Sequence, residues 1–395
     1  MEFIIDNNTL KEAINRLSAL VDKKSVIPAL QGIMFTVDDN GLTLKSSSLE
    51  SYATIKLWNT MKYDVQIIKH GSVVITLPDV EKILMVKDLI RVKSDGNFVV
   101  SAQNAKKKSK IAGIDSKEFI DFPDIDMTDD SLAMVIPDGK EFCNTLKIVG
   151  ATKSDNTSKP IYTGFNFRSD YGTICTIDGF RMTVKKVNWF TDNTVDITVN
   201  GRIEKELAKI VGKSDRGMNV YSGKLATGFR CAKFVGDDFE YIIRRLDKDD
   251  ITFADWKNFI PNQDVKAEFV FSDTKSVIET LKEYAKFNKN GISEPCVMTG
   301  YTDGNILTSY HSVSYITTDE IAVDGNSTDK MFIGVNPDYL MGILNMYYKN
   351  GIDYSVKFYG ELSPIVITGG DYTCLVTPMR VTTINRESIV ADFVA

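Results

Sequence analysis

Leu10, Ile14, Leu17 and Leu20 recur at three- and four-residue spacing, which predicts an amphipathic helix opening the chain. Thr9 and Glu12 stand at the spacing of a capping box at its start. The same arrangement returns twice. Asp138 and Glu141 precede the apolar stripe Phe142, Leu146 and Val149, and Asp273 precedes Val277, Leu281 and Tyr284. After each helix comes a proline-led segment: IPALQGIMFTVDDNGLTL from Ile27, KPIYTGFNFRSDYGTICT from Lys159 and EPCVMTGYTDGNILTS from Glu294. Each runs proline, a short apolar piece, glycine, a strand, a turn with Asp and Gly, and a second strand. Pro28, Pro160 and Pro295 therefore mark a period of about 130 residues.

Within each period a second strand and helix follow: VVITLPDVEKIL from Val73, ITVNGRIEKELAKIV from Ile197 and MFIGVNPDYLMGIL from Met331. Pro78 and Pro337 fall where a first helical turn tolerates proline. Alternating strands come next, such as DYSVKFYG from Asp353 and PIVITGG from Pro364. Each repeat is thus two copies of strand, helix, strands. A period this long is too large for a solenoid and predicts three tandem α+β domains of one fold. The polar stretches FPDIDMTDD and FIPNQD read as connectors, giving domains at 1–127, 128–262 and 263–381, with a C-terminal extension at 382–395.

Composition narrows the function classes. The chain has 395 residues, 43% hydrophobic and 25% charged, a globular balance with room for several cores. Five cysteines, Cys143, Cys175, Cys231, Cys296 and Cys374, lie far apart without CxxC spacing, which predicts free, mostly buried thiols and no metal site. His70 and His311 are the two histidines. With no paired-carboxylate motif and no phosphate loop, catalytic residues and cofactors are expected to be none. MEFIIDNN lacks a cationic leader, and no apolar run reaches membrane-helix length, so a cytoplasmic protein without membrane contact is expected.

The net charge of -6 argues against a nucleic-acid coat over the whole surface but allows one basic face. The helices carry such residues: Lys11, Arg16, Lys23 and Lys24 flank the first, Lys82 and Lys87 the second, and Lys147, Lys153 and Lys159 the third. Arg202, Lys205, Lys209 and Lys213 accompany the fourth, and Lys275, Lys282, Lys286 and Lys289 the fifth. One by one, each face reads as a solvated helix with i,i+4 pairs. Together they could form one surface that meets phosphates without reading bases. The run from Lys106 to Lys110 reads as an exposed loop or an edge strand protected by charge.

In TIDGFRMTV, from Thr176, Asp178-Gly179 is a tight-turn dipeptide, and Arg181 stands between Phe180 and Met182. The stretch reads either as a strand with alternate wet and dry faces or as part of an apolar pocket with a polar anchor.

The threefold repeat, with TIDGFRM in the middle and TPMRV near the end, resembles the bacterial sliding clamps, the beta subunits of DNA polymerase III. KSVIPALQGI, DSKEFIDFP, VNPDYLMGIL and LSPIVI extend the likeness over essentially the whole chain to Val381. The resemblance implies a homodimer closing a ring of six similar domains, with helices lining the hole and sheets outside. Such a ring encircles double-stranded DNA without sequence preference and confers processivity on the replicative polymerase, with no enzymatic step.

It also implies a pocket for short peptide motifs of the polymerase, the clamp loader and repair proteins. By motif, its wall is Tyr162, Ile177, Gly179, Phe180, Arg181, Met182 and Pro261, completed by Pro364, Leu375, Val376, Pro378, Met379 and Arg380. Lys24, Lys153, Lys159, Arg202 and Lys205 are the implied DNA contacts, and Ile83, Leu84, Tyr284 and Phe287 candidate dimer contacts. Phe180 stands where the family usually has histidine, Thr377 where it usually has methionine, and the tail after Val381 exceeds the family's usual end. The tail could lie across the pocket as a self-ligand or pack on the surface. These departures keep open a clamp-like regulator or decoy that binds partners without supporting replication. An enzyme with an unrecognised site is the third alternative.

Overall fold

The computed structural model describes residues 1–58, 64–123, 125, 127–212, 215–224, 228–287, 294–301, 305–311, 316–326, 331–381 and 386–394. Seven α-helices lie among them: α1 (Asn7–Leu17), α2 (Leu77–Ile83), α3 (Gly139–Val149), α4 (Ile203–Val211), α5 (Thr274–Phe287), α6 (Pro337–Asn350) and α7 (Arg386–Val394). None is long and apolar enough to cross a membrane. The chain divides into two compact units, Met1–Leu146 with Trp189–Thr252, and Lys147–Asn188 with Phe253–Ala395.

In the first unit, a five-stranded antiparallel sheet runs in the order Val65–Lys69, Glu2–Asp6, Leu89–Ser94, Val99–Gln103, Lys108–Ala112. The last strand is a sheet edge, and Lys108 and Lys110 are exposed on it, as the charge run predicts. The eight-stranded sheet contains Gly32–Asp38, Gly41–Ser47 and Ser51–Trp58 from the first repeat, and Met218–Lys224, Arg230–Val235 and Phe239–Arg244 from the second. Ser51–Trp58 pairs directly with Phe239–Arg244, Ala53 opposite Tyr241, so backbone hydrogen bonds join the two repeats. The second unit repeats the device: Arg181–Lys186 of the middle repeat pairs with Tyr372–Val376 of the last.

The helices follow from their patterns, with one correction at α1. Asp6, rather than Thr9, caps that helix; its Oδ2 accepts from the Thr9 amide at 3.0 Å. The strand Glu2–Asp6 feeds straight into the helix, which puts its start three residues before the box. Asp138 takes the amides of Lys140 and Glu141 (2.7 and 2.9 Å), and Asp273 that of Ser276 (3.1 Å), as expected. All five cysteines are free, and burial pushes the thiols up, Cys143 to about 12 and Cys231 and Cys374 to about 11.

Arg16 does not belong to a basic face. Helices α1 and α4 pack together, and the Arg16 guanidinium is buried beside them. Its Nε donates to the Ile210 carbonyl at 2.6 Å, and Nη1 and Nη2 donate to the two Asp238 carboxylate oxygens at 3.1 and 2.7 Å. Ile210 lies in the last turn of α4, whose carbonyls lack helical partners, so one side chain caps one helix while anchored to another.

Helix α6 begins at Pro337, and Asn336 caps it, accepting from the Asp338 and Tyr339 amides at 2.9 and 3.3 Å. Gly351, at φ 61°, ends it in the left-handed region. Asn336→Ala is expected to cost about 1 kcal/mol, read as a lowered midpoint of thermal unfolding. An unmoved midpoint would remove the cap from the account.

Candidate functional site

The second unit gathers the residues of TIDGFRM and TPMRV at one end of a sheet. Ile177 pairs with Met182, Met182 with Leu375, and Leu375 with Val366; beside them Arg181 pairs with Val376 and Val376 with Ile365. One register thus brings four strands, and Pro364 ahead of the fourth, to a common end. Phe180 and Thr377 join the two motifs directly, the Thr377 amide donating to the Phe180 carbonyl at 2.9 Å.

The turn holds Arg181 in place. Gly179 has φ 96°, a conformation that favours glycine. Asp178 Oδ1 accepts from the Phe180 and Arg181 amides at 2.8 and 2.7 Å, and its Oδ2 accepts from Arg181 Nε at 2.9 Å. Arg181 then lies 4.4 Å over the Tyr339 ring, and Phe180 stacks on the same ring at 5.8 Å. Tyr339 belongs to the first turn of α6 and was not singled out by the sequence. In the sequence it shows only as the aromatic residue of VNPDYLMGIL, one turn after the capping Asn336.

The implied pocket residues separate by exposure. Ile177, Met182, Leu375 and Val376 are buried and form the floor's core rather than an open wall. Phe180 is 56% exposed; Tyr162, Arg181, Pro261, Pro364, Pro378 and Met379 are partly buried, and Arg380 is exposed. Pro378 and Met379 pair with Val335 and Gly334, just ahead of α6. Tyr162 packs edge-on against Phe253 at 5.5 Å. What is accessible is an apolar and aromatic surface around one oriented guanidinium, suited to a short peptide with apolar side chains.

The tail takes the surface-packing course. In α7, Ile389 is fully buried against Val297 and Leu307, Phe393 meets Tyr301 edge-on at 5.5 Å, and Arg386 Nη2 donates to the Gly300 carbonyl at 3.3 Å. Residues 382–385 and 395 of the tail lie outside the described residues, as do Lys213 and Lys289.

Of the implied DNA contacts, Lys24, Lys159, Arg202 and Lys205 are exposed. Arg202 lies 3.5 Å from Glu50 in a surface pair worth little in water. Lys153 is half-buried, its ammonium 5.5 Å over the Phe165 ring. Two of the four candidate dimer residues need correction. Ile83 and Tyr284 are each 1% exposed, and the Tyr284 hydroxyl bonds the Thr308 carbonyl (2.9 Å) and Asp319 (2.5 Å), so both serve their own cores. Their apolar character comes from helix faces turned inward. Leu84 is half-buried and Phe287 is 48% exposed, stacked on Tyr310.

Residues 1–123 match the family described as the DNA polymerase III beta subunit, N-terminal domain. The fold is that of the bacterial sliding clamps: a crystal structure of the Bacillus subtilis DNA polymerase sliding clamp superposes with a TM-score of 0.85 at 19% identity, covering 97% of this chain and all of that one. A Pseudomonas aeruginosa sliding clamp gives 0.79 at 15% identity over 96% of this chain. In sequence, the beta sliding clamp of Halalkalibacterium halodurans is 22% identical over 386 residues, 94% of this chain and 97% of the relative, and that of Bacillus subtilis 22% over 394 residues. The chain thus carries the sliding-clamp fold, and its first 123 residues match the N-terminal domain of the DNA polymerase III beta subunit.

Proposed function

We propose that the protein is a DNA sliding clamp that acts without catalysis. Two copies close into a ring of six domains, three from each chain at 1–127, 128–262 and 263–381, and duplex DNA passes through it. The single observation that carries this reading is fold similarity over 97% of the chain to a clamp that is itself fully covered. The exposed lysines Lys24, Lys159 and Lys205, with Arg202, supply sequence-blind attraction to phosphates. The Arg181–Tyr339–Phe180 surface holds peptide motifs of the replicative polymerase, the clamp loader and repair proteins.

Encirclement gives a topological signature. Loaded on a closed circular duplex, the protein is expected to stay bound through gel filtration and to be released when a single restriction cut linearises the circle. Equal retention on both forms would overturn the ring, and a monomeric mass in solution would overturn the dimer.

A further inference from the structure

The first unit carries a cleft of about 390 Å³ that neither the peptide surface nor the candidate DNA contacts use. Its floor is the face of the eight-stranded sheet, where Thr36 is opposite Thr43, Thr43 opposite Lys56, Lys45 opposite Thr54, and Thr54 opposite Glu240. One row further, Tyr52 is opposite Ile242 and Ile242 opposite Lys233. The connector supplies a wall through Phe122 and Pro123, with Phe122 edge-on to Tyr52 at 5.3 Å.

A threonine- and lysine-lined floor on a sheet face is unusual chemistry for mere packing. Lys233 is only 6% exposed, and its ammonium lies 3.0 Å from Glu240 Oε2; Lys56 lies 2.5 Å from Glu240 Oε1. Burial alone would raise the Glu240 carboxyl, but the hydrogen bonds from both lysines outweigh it and hold it below its ordinary value. The site therefore already holds one carboxylate between two ammonium groups. Lys45 is the cation left over: among the described residues it makes no ion pair, and its ammonium lies 5.0 Å over the Phe122 ring.

We propose that this cleft binds a short acidic peptide segment, one side-chain carboxylate taken by Lys45 and the threonine hydroxyls, and a neighbouring apolar side chain resting on Tyr52, Phe122 and Ile242. The sign of the ligand follows from Lys45; its single charge follows from Glu240 and Asp38, which line the same cleft and repel a dianion more strongly than a carboxylate. Charge-assisted hydrogen bonds give the carboxylate its hold, and the aromatic wall gives it a neighbour preference.

Fluorescence anisotropy of a labelled acetyl-Asp-Phe-amide peptide, titrated with the full chain at fixed ionic strength, tests this. Saturable binding is expected, weakened roughly tenfold or more in Lys45→Gln, as loss of a hydrogen bond to a charged group implies. Lys45→Arg should keep most of the affinity, and Arg181→Ala, in the other unit, should leave it unchanged. Because Lys45 makes no ion pair among the described residues, Lys45→Gln should change the melting temperature little, which separates lost binding from lost fold. Absence of saturation, or equal affinity in Lys45→Gln, overturns the site. Displacement of the peptide by inorganic phosphate at equal or lower concentration than by acetate overturns the choice of a carboxylate. Neither result depends on ring formation or on loading onto DNA.

Discussion

Asp238→Ala is expected to destabilise the first unit by about 3–5 kcal/mol, the usual cost of removing one partner from a buried ion pair. The Arg16 guanidinium would then keep its hydrogen bond to the Ile210 carbonyl but lose both carboxylate oxygens. With side-chain exposures of 10% and 11% for Arg16 and Asp238, little water can replace them. Because the guanidinium also caps α4, the defect should reach both helices at once. Hydrogen exchange should accelerate in α1 and α4 together, ahead of the second unit. Replacing both partners, Arg16→Met with Asp238→Leu, should recover most of the loss, since a buried pair contributes less than the penalty for leaving half of it. Urea unfolding followed by circular dichroism reads all three variants. A shift below about 1 kcal/mol for Asp238→Ala, the level of an ordinary surface change, would sink this account.

Arg16 also shows where sequence reading stops. Periodicity gave the helix and its apolar stripe through Leu10, Ile14 and Leu17, because a 3.6-residue period is a local property. It placed Arg16 beside Lys11 because both fall off that stripe. The partner that buries Arg16 is Asp238, more than two hundred positions away, and nothing in either neighbourhood announces the pair. The dimer candidates erred the other way: Ile83 and Tyr284 are apolar on helices, and only packing reveals that their own sheets consume them. By contrast, the repeats were legible, because Pro28, Pro160 and Pro295 each precede a glycine and two strands at nearly constant spacing. The turn at Asp178-Gly179 was legible for the same reason: its chemistry lies within four residues. Tyr339 was not, since the sheet register that carries Arg181 to α6 is a long-range fact.

Arg181→Ala should weaken a peptide from the replicative polymerase of the same cell by about thirtyfold, a loss of about 2 kcal/mol of the kind arginine anchors give. Two constraints hold the guanidinium: the Asp178 carboxylate, with Arg181 Nη2 at 2.8 Å from Oδ2, and the Tyr339 ring. A side chain fixed this way loses little freedom on binding, so its contact with a peptide is spent on affinity rather than on ordering. Asp178→Asn should show part of the same loss, because it loosens Arg181 without removing it. Tyr339→Ala should match or exceed it, since it takes away the surface under both Arg181 and Phe180. Phe180→His keeps a planar ring on Tyr339 and should change affinity least. Retention on circular DNA should be unaltered in all four variants, since none touches Lys24, Lys159, Arg202 or Lys205. If Arg181→Ala lost peptide binding and circular retention in equal measure, the residue would belong to the fold of the second unit and not to a partner surface.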